Sequence, residues 1–311
     1  MADPNVETKL SHRQTAEPKV DKVTKFERGY VPPDFSFKEL REAIPPHCFE
    51  RNTWRSAGYM VKDLGIIAVL VYAATLIDVY LPQTLRFVAW LVYWFFCGAF
   101  ATGLWVIAHE CGHQAFSPHK FINNTVGFIL HTALLVPYHS WRITHAKHHH
   151  YTAHMDNDQV FVPKTRKALG LPQKDKDHDD GTSVFEEAPL VTLMMLILQQ
   201  LFGWPLYLII NASGQVYKDQ EWNFVRGAAC TVDRHFGFLD SIFHRISSTH
   251  VAHHYFSAMP HYHAEEATIY VKKVLGSHYI FDDTPIFKAL WRSYNQCRFI
   301  EDEGEVIFYK N

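Results

Sequence analysis

From Phe87 to Ala108 the chain runs for 22 residues without a charged side chain. A helix of that length rises about 33 Å, enough to cross the hydrocarbon of a bilayer. A second run, Leu64 to Leu81, is almost wholly apolar, with Asp78 near its end. Pro82-Gln83 makes the short turn between them. Neither run shows a polar face, which disfavours two core helices of a soluble domain. The expected fold is therefore an all-α integral membrane protein built on a helical hairpin. Leu190 to Ile210, uncharged for 21 residues, is a third apolar segment and a third candidate to span. Phe121 to Tyr138 is broken by Asn123-Asn124, His131 and Pro137, and reads as interfacial or re-entrant.

Polar stretches flank these runs. Residues 1–50 are rich in charge, Pro and Thr and read as a polar N-terminal arm, partly disordered. Residues 51–311 make the remaining domain, with a solvated loop at 164–187. No apolar h-region precedes Lys62, so no cleaved signal peptide is expected. The five Cys show no paired spacing, which fits a reducing compartment. A net charge of −2 implies no polyanionic partner such as nucleic acid.

Histidine is the outlier. Of 21 His, ten lie between His109 and His154 and seven between His235 and His263. Three clusters repeat one geometry: His109-Glu110-Cys111-Gly112-His113, then His145-Ala146-Lys147-His148-His149, then His250-Val251-Ala252-His253-His254. Residues three and four apart share a helix face. Each cluster therefore aims its imidazoles one way, and eight can converge from three helices. A lone His is more often a packed or surface residue than a ligand, but a thrice-repeated spacing is not explained by packing. Eight nitrogens suit two metals at about four each. Imidazole alone does not decide among iron, zinc, copper and nickel. The other histidines near the boxes (His119, His131, His139, His150, His154, His261 and His263) lack the spacing; some can orient ligands. Because His109 begins where the apolar run stops, the metals would sit at the membrane edge, within reach of an acyl chain.

Two other readings stay open on the residues alone. His109-Glu110-x-x-His113 matches the H-E-x-x-H pattern of zinc metalloproteases, in which Glu activates water. The clusters also suit a non-catalytic metal-binding membrane protein. The protease reading leaves the second and third clusters unexplained.

These clusters, with Trp141-Arg142 before the second and Thr249 before the third, resemble the three histidine boxes of membrane fatty acid desaturases. Further stretches resemble the fungal Δ12 (oleate) group: Gln114-Ala115-Phe116-Ser117 after box one, Leu201 to Tyr207, Glu221 to Ala228 and Tyr262 to Thr268. The resemblance covers about residues 30 to 311. It implies that His109, His113, His145, His148, His149, His250, His253 and His254 hold two ferrous ions. It implies an O2-dependent removal of two hydrogens from adjacent methylenes of a fatty acyl lipid, leaving a cis double bond. It further implies cytochrome b5 and its reductase as separate electron donors, and a multi-pass protein of the endoplasmic reticulum membrane. The boxes would lie in a helical cap facing the cytosol.

One departure matters. Relatives in this family carry further spans between the segments resembling Asn211–Gln215 and Glu221–Asn223, where this chain has only Val216 to Gln220. In the Δ12 group the missing stretch includes a Leu-Gln-His-Thr motif whose His counts as an additional iron ligand. Arg51, Arg55 and Lys62 before the hairpin, and Arg142 and Lys147 after it, place both sides of the hairpin opening in the cytosol. A lone third span would then carry box three to the opposite face. Either Leu190–Ile210 is re-entrant, turning at Gly203-Trp204-Pro205, or a segment is missing near 216–220 and the chain as written is inactive. The second is the expectation, because 21 residues make one crossing and not two.

Overall fold

The computed structural model describes residues 33–154, 157–158, 164–170, 189–210, 222–297 and 299–300. The first 32 residues of the arm, most of the expected loop at 164–187 and the segment at 216–220 lie outside them. The described residues fall into two compact units. The first takes residues 33–146 and 231–283; the second takes 147–230 and 284–300.

The first unit opens with a helix, α1 (Phe37–Ala43), inside what reads from sequence as arm. A capping box starts it: the Ser36 hydroxyl accepts from the Glu39 N–H at 3.2 Å, and the Glu39 carboxylate accepts from the Ser36 N–H at 2.8 Å. A 3₁₀ turn, Pro46–Phe49, follows. Leu40, Ile44 and Cys48 are fully buried, so this stretch is folded.

The hairpin is as expected, with longer arms. Helix α2 (Thr53–Tyr80) starts at Asn52, whose side chain accepts from the Arg55 N–H at 3.0 Å. It stops at Leu81 because Pro82 follows. Helix α3 (Gln83–Gly112) has 30 residues. At 1.5 Å per residue both helices exceed the thickness of the hydrocarbon core. Only 17% and 33% of their most apolar windows are buried, so their apolar surface faces outward. Such an exposed surface needs lipid around it.

The buried end of α3 carries the site. Leu104, Ile107, Ala108 and Cys111 pack with Phe116 and Leu130. Leu130 belongs to α4 (Lys120–Ala133), 14 residues long and too short to cross a bilayer. Helix α5 (Tyr138–Tyr151) begins in the first unit and ends in the second. Its Trp141 ring comes so close to α3 that a Cβ on Gly112 would stand 2.8 Å from Cζ3. Glycine is the residue that admits this approach.

The remainder of the first unit holds box three. Strand β1 (Asp233–Arg234) pairs in parallel with β2 (Phe281–Asp282), and between them lie α8 (Leu239–Ile242), α9 (His250–Tyr255) and α10 (His261–Leu275). Asp63, buried inside α2, has Oδ2 2.7 Å from His244 Nε2, which ties α2 to the segment before box three. Asp233 accepts from the Val251 N–H at 2.7 Å and from the Tyr279 hydroxyl, so a carboxylate sits at the start of α9.

In the second unit, the third apolar run forms one helix, α6 (Pro189–Ile210). It continues through 203–205, so the re-entrant alternative, a turn at Gly203-Trp204-Pro205, is not there. Helix α7 (Phe224–Ala228) and helix α11 (Ile286–Gln296) complete the unit. Thr192 of α6 hydrogen-bonds Asn295 of α11 at 3.3 Å.

Candidate metal centre

All three boxes lie on helices. His109 is in the last turn of α3 and His113 caps it; His145, His148 and His149 lie on α5; His250, His253 and His254 lie on α9. Within the first unit, His109, His113, His145 and His253 each offer a ring nitrogen, and these nitrogens lie within 4.8 Å of one another. His109 Nε2 is 2.8 Å from His145 Nε2 and 3.2 Å from His113 Nε2. His250 and His254 form a second pair, Nε2 to Nε2, at 3.0 Å. His149 stands one turn beyond His145 on the same helix and is buried.

These spacings fit a metal. Imidazoles bound at about 2.1 Å to a single ion stand about 3.0–3.4 Å apart. Nitrogens from four residues on three helices lie within 4.8 Å of one another here, with the His109–His113 pair at 3.2 Å. The donor set is all imidazole, which suits iron, zinc, copper or nickel. The geometry is compatible with a metal site and leaves the ion's identity to chemistry.

Carboxylates stand behind the rings. Glu110 is fully buried; its Oε1 lies 3.5 Å from His109 Nδ1 and 3.9 Å from His253 Nδ1. Its Oε2 accepts from the His261 N–H at 3.0 Å, at the first residue of α10. Glu110 Oε1 lies on the Nδ1 side of both rings without a hydrogen bond to either. Glu110 thus lies behind His109, on the side away from the Nε2 cluster. That is the wrong side for the water-activating Glu of a protease. In the second unit, Asp158 hydrogen-bonds His148, with Oδ1 and Oδ2 2.9 and 3.0 Å from Nδ1.

Aromatic rings flank the cluster. Trp141 stacks on His145 with centroids 4.5 Å apart, and Trp105 stacks on His109 at 5.6 Å. His131 lies behind Trp141, fully buried, and burial pulls its imidazole down to about 4, so it stays neutral. Sequence reasoning set His131 and His261 aside, and His261 turns out to donate its backbone N–H to Glu110, with its ring Nδ1 4.0 Å away. Asp158 was missed altogether. A lone Asp ten residues past His148 carries no periodic signal.

A lone third span would part box three from the others, yet His253 of box three lies among His109, His113 and His145.

The fatty acid desaturase family model matches residues 88–222, and a model described as a domain of unknown function (DUF3474) matches residues 3–74. The chain is 44% identical to a Delta(12) fatty acid desaturase of Mortierella isabellina, with all of both chains covered. The chain belongs to the fatty acid desaturase family. It is also 43% identical to the Delta(12) fatty acid desaturase of Mortierella alpina, again over the whole of both chains. It is 36% identical to an omega-6 fatty acid desaturase, endoplasmic reticulum isozyme 1, of Glycine max, over 90% of this chain and 91% of that one. The protein is thus a membrane-bound oxidoreductase acting on fatty acyl lipid. The Mortierella isabellina alignment runs over 400 positions while this desaturase has 311 residues, so about 89 of those positions hold no residue of this chain. The protease and metal-store readings fall with this assignment.

Proposed function

We propose that this desaturase, with its segment near 216–220 restored, places a cis double bond at the Δ12 position of an oleoyl chain, giving linoleate. Two iron ions would be held by His109, His113, His145, His148, His149, His250, His253 and His254. The observation that carries the reading is the convergence of imidazoles from all three boxes, His109 and His113, His145, and His253, within 4.8 Å. The Delta(12) names of the Mortierella relatives support the position of the double bond.

When bound, two ferrous ions supply the O2-dependent chemistry that removes hydrogen from two adjacent methylenes. The chain's own residues hold and shield the site. Asp158 keeps a proton at Nδ1 of His148, so its Nε2 edge faces inward, and Glu110 backs His109 and His253 on their Nδ1 side. Trp105 and Trp141 cover the ring faces and exclude water. Reducing O2 to two waters takes four electrons, of which the two broken C–H bonds supply two. Cytochrome b5 and its reductase supply the others as separate partners. The site faces the cytosol at the endoplasmic reticulum membrane. Arg51, Arg55 and Lys62 before the hairpin, with Arg142 and Lys147 beyond it, support that orientation, and the printed name of the soybean relative supports the compartment.

The chain as written lacks a spanning segment near 216–220 and is inactive. Between Ile210 and Trp222 only residues 211–221 remain, too few for a second helical crossing. Helix α6 therefore cannot cross alone while box three joins the others. The alignment positions without a counterpart here leave room for the return in the relatives.

Expression in a yeast that makes no linoleate, followed by fatty acid analysis, tests this. The chain as written should give no linoleate. A version carrying the relatives' segment between Gln215 and Glu221 should give it, and His149→Ala should abolish it. A double bond at another position, or peptidase activity with bound zinc, would contradict the reading.

A further inference from the structure

We propose that His47, Cys48, His263 and Glu266 form a second metal site, separate from the boxes, that binds one zinc ion and fastens the segment before the first span to α10. Each of the four offers one donor atom, and these atoms lie within 4.8 Å of one another. All four residues belong to the first unit. His47 Nε2 is 2.9 and 3.0 Å from the two Glu266 oxygens, and the Cys48 sulfur is 3.7 Å from the same nitrogen. A tetrahedral ion with sulfur at about 2.3 Å and nitrogen or oxygen at about 2.0–2.1 Å holds S···N at about 3.6 Å and N···O at about 3.4 Å. The His47, Cys48 and Glu266 donors need to move by only a few tenths of an ångström to meet that geometry, and the His263 donor lies within 4.8 Å of them.

Local structure presents them together. His263 and Glu266 are three apart on α10 and share a face. His47 and Cys48 sit on the 3₁₀ turn Pro46–Phe49, which packs against that helix. Cys48 is fully buried, while His47 and Glu266 are half exposed, so an ion can enter from water without opening the fold. One thiolate, two imidazoles and one carboxylate make the mixed set that zinc takes; magnesium and calcium prefer oxygen alone. On binding, the Cys48 thiol gives its proton to solvent and forms the Zn–S bond, with no change of oxidation state.

The placement gives the site a purpose. Two residues before His263, the His261 N–H holds Glu110 behind box one. Beside it, the Tyr262 hydroxyl accepts from the Asn52 N–H at 2.8 Å, at the cap of α2. A zinc clip on the outer side of α10 fixes the helix that makes both contacts. The alternative is a His47–Glu266 ion pair beside an unrelated thiol.

The test uses the full chain, purified in detergent, loaded with iron and then titrated with zinc chloride alone. Metal content and zinc-edge X-ray absorption are read together. The expected result is one zinc per chain with one sulfur scatterer at about 2.3 Å, iron content unchanged. Cys48→Ser should remove the sulfur scatterer and weaken zinc binding at least ten-fold. His263→Ala, at a half-buried position, should weaken it equally and serves if Cys48→Ser fails to fold. No zinc retained at micromolar concentration, zinc without a sulfur ligand, or unchanged zinc binding in the variants would overturn the proposal. None of these readings depends on desaturase activity.

Discussion

An imidazole binds metal through the nitrogen that its other hydrogen bond leaves open, so Asp158 orients His148, while Glu110 backs His109 and His253 on their Nδ1 side. Replacing either by its amide keeps the shape and removes a carboxylate from the Nδ1 side. Glu110→Gln and Asp158→Asn should each lower iron affinity by about 10–100-fold, as read by iron titration of the purified protein. Equal affinity in both variants would remove the carboxylates from the account. Asp233 sits behind box three in a different state. Burial raises its carboxyl from 3.8 to about 6. The folded chain therefore holds this proton better than the unfolded chain, and the group's contribution to stability falls as pH rises from about 4 to 6. At about 1.4 kcal/mol per pKa unit, the loss is up to about 3 kcal/mol. Asp233→Asn keeps an acceptor for Val251 and Tyr279 but cannot ionise. The thermal midpoint of the variant should rise relative to wild type across that pH window; a pH-independent difference would show that Asp233 titrates normally.

At the scale of elements, the hairpin was legible because nearly uncharged apolar runs of 18 to 22 residues have few folds open to them. The box helices were legible from the i, i+3, i+4 repeat. The folding of 37–49 was not read, although its signals were present: a Ser36-x-x-Glu39 capping box, then Leu40, Ile44 and Cys48 at helical spacing. The surrounding charge and proline hid that pattern. The approach of α5 to α3 was not legible at all, since Gly112 reads as a neutral filler within box one until Trp141 is seen against it. Gly112→Ala puts a methyl group 2.8 Å from that ring. The ring must move, and box two moves with it. We expect linoleate formation in the segment-restored protein to fall at least ten-fold, against expression within a factor of about two, since misplacing a reactive geometry by an ångström costs about a hundred-fold. Full activity would show that α5 shifts without cost.

At the scale of the whole molecule, one side of the membrane must receive all three boxes. The chain's crossings have to return it there between Ala146 and Thr231, and the residues present do not allow a paired crossing. That conflict was visible in the sequence as a short link, Val216 to Gln220. What sequence could not show was the convergence itself, because nothing in spacing along a chain fixes which helices meet. The most direct measurement is iron per chain, with Mössbauer spectroscopy, on the purified protein carrying the relatives' segment between Gln215 and Glu221. The account predicts two irons per chain as a coupled pair, with the pair lost in His145→Ala and in His253→Ala. A single iron, a zinc in its place, or an intact pair after either substitution would contradict it.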